Sequence, residues 1–194
     1  MKYTNFLAFC LLISSCHSQV ATTNEIAVNL QKQASKIARD TGTLSSNLEK
    51  ANILLDSAIL LEPRYIMAYQ SKLDNLITLK RYDEAITLAD AILELKPSIE
   101  IGTVKSALLY KKGKNGEARK TLSQAIAKAN DEYRKKPSSN LLGNIAIAYV
   151  LNSEKEKAVE FIDNEKVKYG SKEKKQIEAI RNYLPSFTYD EILH

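Results

Sequence analysis

The sequence predicts an all-α protein of stacked antiparallel helix pairs, on three observations. Apolar residues recur at helical spacing almost throughout, as in the stripe Ile26, Leu30, Ala34, Ile37 and Ala38, while strand-like alternation is absent. Residue types return 34 positions apart: Ala51 and Ala85, Leu54 and Leu88, Asp56 and Asp90, Pro63 and Pro97. The 194 residues are 44% hydrophobic and 26% charged, with only 6 Gly and 4 Pro, which excludes collagen-like, low-complexity and disordered chains.

Taken in order, the chain opens with Lys2 and the apolar run Phe6–Ile13. That run is about half the ~20 residues a membrane-spanning helix needs. His17–Thr23 is polar and aperiodic, and reads as a tether. Thr22 with Glu25 suggests a capping box for the first helix, as do Ser46 with Glu49 and Ser153 with Glu156 further on. A loop at Thr41–Ser46 leads to a helix carrying Ala51, Leu55 and Ala58, which Pro63 ends. The best-defined pair is Tyr65–Leu79 with Asp83–Lys96, around a turn at Lys80–Tyr82.

In the next pair Ala107 and Tyr110 lie on one helix, and Ala118 and Ala125 on the other. The breaker-rich Gly113-Lys114-Asn115-Gly116 joins them. Glu84-Ala85 returns as Glu117-Ala118, and Ala158 follows 40 residues later, two helical turns more than the preceding step of 33. Glu117–Lys136 therefore reads as one long helix stopped by Pro137, with Ala146 and Tyr149 opposite Ala158 in the last pair. Ser171–Tyr183, with Ile177, Ile180 and Leu184, is expected to cap the stack. Thr188 and Glu191 would start one more helical turn over Tyr189–Leu193. Gly102, inside a helix, is expected to cost about 1 kcal/mol against alanine.

From Glu25 to Tyr169 these spacings resemble the tetratricopeptide repeat, a 34-residue antiparallel helix pair. The resemblance implies an α-solenoid of about 3.5–4 units. It places small residues at the helix crossings, here Ala51, Ala85, Ala118, Ala125, Ala146 and Ala158, and counts Pro63 and Pro97, at the unit ends, among the residues that pack the repeats. The chain departs from the family pattern in having no tryptophan, and in carrying Ala89 where a large aromatic is usual.

Ile13-Ser14-Ser15-Cys16 resembles the bacterial lipoprotein signal box. That resemblance implies cleavage before Cys16, diacylglycerol on its thiol and a fatty acyl group on its new amine. His17, rather than aspartate, follows the cysteine, which by the same resemblance favours an outer-membrane location facing the periplasm. The alternative is a plain signal peptide cut near Ser15 or Ser18, with Cys16 incidental. The expected organisation is a signal peptide at 1–15, a lipidated tether at 16–23, the repeat domain at 24–170, and a capping helix with tail at 171–194. Cys10 leaves with the signal, so a disulfide-free core must hold the exported domain.

Chemistry is sparse. The two histidines, His17 and His194, and the two cysteines lie at the ends of the chain, so His- or Cys-based catalysis and metal binding are not expected. The acids Glu154, Glu156, Glu160 and Asp163 alternate with Lys155 and Lys157 and read as a solvated helix face. Gly113 and Gly116 lack a phosphate-loop framework and suit a turn. The net charge of +5 is modest for nucleic-acid binding. Residues 99–194 hold 18 cations against 13 anions, crowded at Lys111, Lys112, Lys114, Arg119 and Lys120 and again at Lys172, Lys174 and Lys175, which reads as solvated helix ends or as a basic patch for anionic lipid or an acidic partner.

The expected function is a membrane-anchored, non-catalytic protein-interaction module or assembly factor of the bacterial envelope. It would use no cofactor, nucleic acid or small-molecule substrate. In the family, the first helix of each unit lines the concave groove. Here that implies Met67, Gln70, Asp74 and Ile77, then Glu100, Thr103, Ala107 and Tyr110, then Asn140, Asn144 and Ile147. One branch clamps a peptide carboxylate with Lys, Asn and Arg in this groove, but only Asn144 matches, so that mode is rejected. The alternative function is a periplasmic immunity protein that neutralises a delivered toxin.

Overall fold

The computed structural model describes residues 24–40 and 44–193. Cys16 and the signal and tether expected around it lie outside the described residues. Nine α-helices and three 3-10 turns run through those residues, and none of them forms a strand. The helices are α1 (Glu25–Ala38), α2 (Leu44–Leu61), α3 (Ile66–Thr78), α4 (Tyr82–Leu95), α5 (Ile99–Lys111), α6 (Asn115–Lys135), α7 (Ser139–Leu151), α8 (Lys155–Glu165) and α9 (Ser171–Tyr183). Each helix from α1 to α8 packs against the next, α1 also touches α3, α5 touches α7, and α7 touches α9. That nearest-neighbour pattern is an all-α solenoid closed by a terminal helix.

Local chemistry explains where the helices start. Ser98 and Ser138, each just after a proline, are extended and accept from the Ile101 and Leu141 amides at 3.3 and 3.2 Å. These caps lack a glutamate three residues on, so a capping-box pattern cannot find them. Three expected boxes fall elsewhere. Asn24, not Thr22, caps α1, bonding the Ile26 amide at 2.9 Å. Ser46 lies inside α2, and Glu154 rather than Ser153 precedes α8. The fourth forms: Thr188 and Glu191 bond reciprocally at the 3-10 turn Tyr189–Ile192.

The turns inside the pairs repeat more faithfully than the sequence does. Lys80, Gly113 and Ser153 all take left-handed backbone, at φ of 59°, 75° and 66°. Their amides donate to Ile77, Tyr110 and Val150, and the next amides to Leu76, Leu109 and Tyr149, at 2.8–3.0 Å. This double bond is the Schellman closure of a helix C-terminus. Three unlike residues therefore do one geometric job.

Ala51, Ala85, Ala118, Ala146 and Ala158 are fully buried, whereas Ala125 is half-buried. Pro63 and Pro97 correct the packing expectation: both rings stay outside the buried core, so they end units without joining it. Gly102 carries a second correction. A Cβ there would lie 2.5 Å from the Ala125 Cβ, so glycine lets α5 approach α6 where alanine cannot.

Candidate functional site

The first-helix face is built by α3, α5 and α7, whose N-terminal ends meet in a cleft of about 650 Å³. It brings together Met67 and Gln70 of α3, Glu100 of α5 and Asn140 of α7. Met67 is 57% exposed. Glu100 is held in place: Ser98 Oγ donates to one carboxylate oxygen at 2.5 Å, and Asn144 Nδ2 to the other at 2.6 Å across from α7. Lys96, Glu132 and Lys136 edge the same cleft, so an apolar thioether sits among groups of both charges. A surface of this mix suits a peptide with one apolar anchor and polar flanks.

The remaining expected groove residues do not join it. Thr103 and Ala107 are buried, and the Thr103 hydroxyl is spent on the Ile99 carbonyl at 2.8 Å. One helical face cannot both pack α5 on its neighbours and present these two side chains. Ile77 is half-buried against the Leu73–Leu76 cluster, and Ile147 against the C-terminal core. Asp74 lines a separate cleft of about 240 Å³ between α1 and α3, near Arg39, where burial pushes its carboxyl above the ordinary value. Tyr110 lies at the other end of α5, 47% exposed, with Tyr189 of the C-terminal tail stacked on it.

The charged clusters are largely paired. Asp163 takes two bonds from Arg181, both at 2.8 Å, and one from Lys166 at 2.7 Å, which hold its carboxyl down to about 2. These bonds fasten α9 to α8. Glu154 lies below its ordinary value, mainly through Lys157 at 2.8 Å. Lys112 meets Asp83 at 2.9 Å and Lys111 meets Asp190 at 3.2 Å. Among the described residues no three His, Cys, Asp or Glu side chains gather as metal ligands, and no helix is long and apolar enough to cross a membrane.

Sequence reasoning missed where the tail docks. Tyr189 belongs to no repeat, and its capping box is the sole local sign that the segment is ordered. It also missed the tyrosine pair Tyr133 and Tyr169, whose hydroxyls lie 2.8 Å apart, with Tyr133 donating to Glu165 at 3.0 Å.

No family model matches the chain, and no curated protein matches it. Five solved chains do match in fold. One, described as "MamA RS-1 ArsTM double mutant", superposes with a TM-score of 0.50 over 85% of this chain and 97% of its own, at 19% identity. MamA contains tetratricopeptide repeats, and at this identity the likeness concerns fold alone: the chain is a TPR-like all-α solenoid.

Proposed function

We propose that the chain is a non-catalytic binding module, tethered to the bacterial outer membrane through lipid on Cys16 and holding a protein or peptide partner at its first-helix face. The cleft that joins Met67, Gln70, Glu100 and Asn140 carries the reading. Its residues come from three successive units, so a bound segment would span several repeats, as solenoid surfaces permit. Ile13-Ser14-Ser15-Cys16 supports the tether, and acyl chains there would contribute ~0.8 kcal/mol per buried methylene.

Two experiments test the two halves. Cys16→Ser should abolish incorporation of labelled fatty acid and move the chain out of the membrane fraction; unchanged labelling ends the anchor reading. A partner crosslinked in intact envelopes should be lost from Met67→Ala with Gln70→Ala while the melting temperature barely moves. Retained crosslinking by that stable variant excludes the cleft.

A further inference from the structure

The C-terminal segment docks on α5 like a ligand in a socket. The Tyr189 ring stacks on Tyr110, with centroids 4.4 Å apart and planes at 17°. Its hydroxyl lies 3.1 Å from Oγ of the fully buried Ser106, 83 positions earlier. The next residue, Asp190, pairs with Lys111 of α5 at 3.2 Å. Leu193 finishes the segment against the middle core cluster. The shape is prefolded, since the Thr188 amide donates to Glu191 at 2.6 Å.

Two features set this segment apart from a core layer. Its ion pair stays open to water: the Asp190 side chain is 69% exposed. It also carries charge opposite to what it faces: Asp190 pairs with Lys111 at the edge of the basic hairpin Lys111–Lys120, while the neighbouring Glu191 folds back on Thr188 and Tyr183. In that hairpin Arg119 and Lys120 have no acidic partner among the described residues; burial raises the Tyr189 phenol, and Arg119 is close enough to oppose part of that rise. The socket thus has capacity for more negative charge than the tail supplies.

We propose that the socket of Tyr110, Ser106 and Lys111 recognises a partner segment bearing an aromatic residue followed directly by acidic ones, and that Tyr189-Asp190-Glu191 occupies it until such a segment displaces it. This rests on the reading of the chain as a protein-binding module. The tail is then an internal competitor, and its hold sets the concentration of partner needed to enter.

The probe is a labelled peptide, Phe-Thr-Tyr-Asp-Glu-Ile-Leu, titrated by fluorescence anisotropy into the full chain and into the full chain carrying Tyr189→Ala with Asp190→Ala. The opened variant should bind it at least tenfold more tightly. Adding Lys111→Glu, or replacing the peptide's tyrosine by alanine, should reverse most of that gain. Equal binding by both chains overturns the proposal, as does a gain that survives both controls. Should the double variant lose its helical spectrum, Asp190→Lys changes one exposed charge, leaves the packing alone and must show the same gain. If the peptide fails while the cleft variant still loses its crosslinked partner, the socket falls and the module reading stands. If the peptide binds while the cleft variant keeps its partner, the socket stands and the cleft falls.

Discussion

The buried cluster that joins α1 to α3 is mostly alanine, with Ala27, Ala34, Ala51, Leu55, Ala58 and Ala68; Leu48 of α2 is buried too, and the larger Leu30, Ile37, Leu54 and Ile59 are only partly covered. Between α6 and α9 they include Leu122, Ile126, Tyr133, Leu142, Ile145, Tyr149, Ile162, Ile177 and Leu184. The first end also buries polar groups: Gln31 donates to Ser71 at 3.0 Å, and Asn75 to Asn52 at 2.9 Å. It leaves Ile26, Ile53, Leu60 and Met67 exposed, Leu60 by 82%. The last end is covered by α9, by Phe161 packed edge-on to Tyr133 and Tyr149, and by the tail, and leaves Val167 and Tyr183 exposed.

The two ends are therefore held by different means. Burial stabilises by ~0.8 kcal/mol per methylene, so an alanine layer gains little from transfer and relies on close helix approach. A solenoid's stability is close to a sum of neighbouring interfaces, which lets one end be firm while the other opens locally.

The largest expected effect tests that inequality. Leu142→Ala, at a fully buried site in the firm end, should cost about 2–5 kcal/mol in denaturant unfolding. In native hydrogen exchange, the amides of α1 and α2 should open at lower free energy than those of α7. Equal protection at both ends breaks the comparison.

Two glycines sharpen it. Gly102→Ala must push apart two backbone-borne methyl positions and should cost about 1–3 kcal/mol, despite the better helix propensity of alanine. At Gly143 the nearest obstacle is the flexible end of Ile180, 2.8 Å away. Gly143→Ala should change stability by less than about 1 kcal/mol, because the propensity gain offsets a small shift. Similar costs at both sites would mean that helix approach does not govern packing.

Smaller still, Lys80→Gly should stabilise by about 0.5–1 kcal/mol, relief of the left-handed backbone exceeding the added unfolded-state freedom. The same change at an ordinary helical site should destabilise.

The attachment of α9 should depend on pH. Asp163 is held down to about 2 by Arg181 and Lys166. Its contribution is complete above the ordinary aspartate range and fades as pH falls from about 4 towards 2. Protection of α9 amides should drop in that window before α7 is affected, and Asp163→Asn should remove the dependence.

The candidate site was legible only in pieces. Met67, Gln70, Glu100 and Asn140 lie where helical spacing and the repeat register suggest, and the cleft unites them. Thr103 and Ala107 share that register but are buried, because α5 packs on both α6 and α7. Tyr110, expected in the groove, lies at the other end of α5 and is partly covered by a tyrosine from outside the repeats.

The helices, their pairing and the small crossing residues follow from the order of amino acids alone, since periodicity and terminators act within a few turns. The predicted Ser171–Tyr183 helix has the observed bounds, and Glu117–Lys136 differs from α6 by one or two residues at each end. Other features exist only once the helices are stacked. Gly102 becomes a contact, and Tyr189 reaches Ser106. Each depends on how one helix meets the next or on a neighbour brought from elsewhere in the chain. A local pattern shows which face of a helix is apolar; what covers that face is set by the packing of the whole.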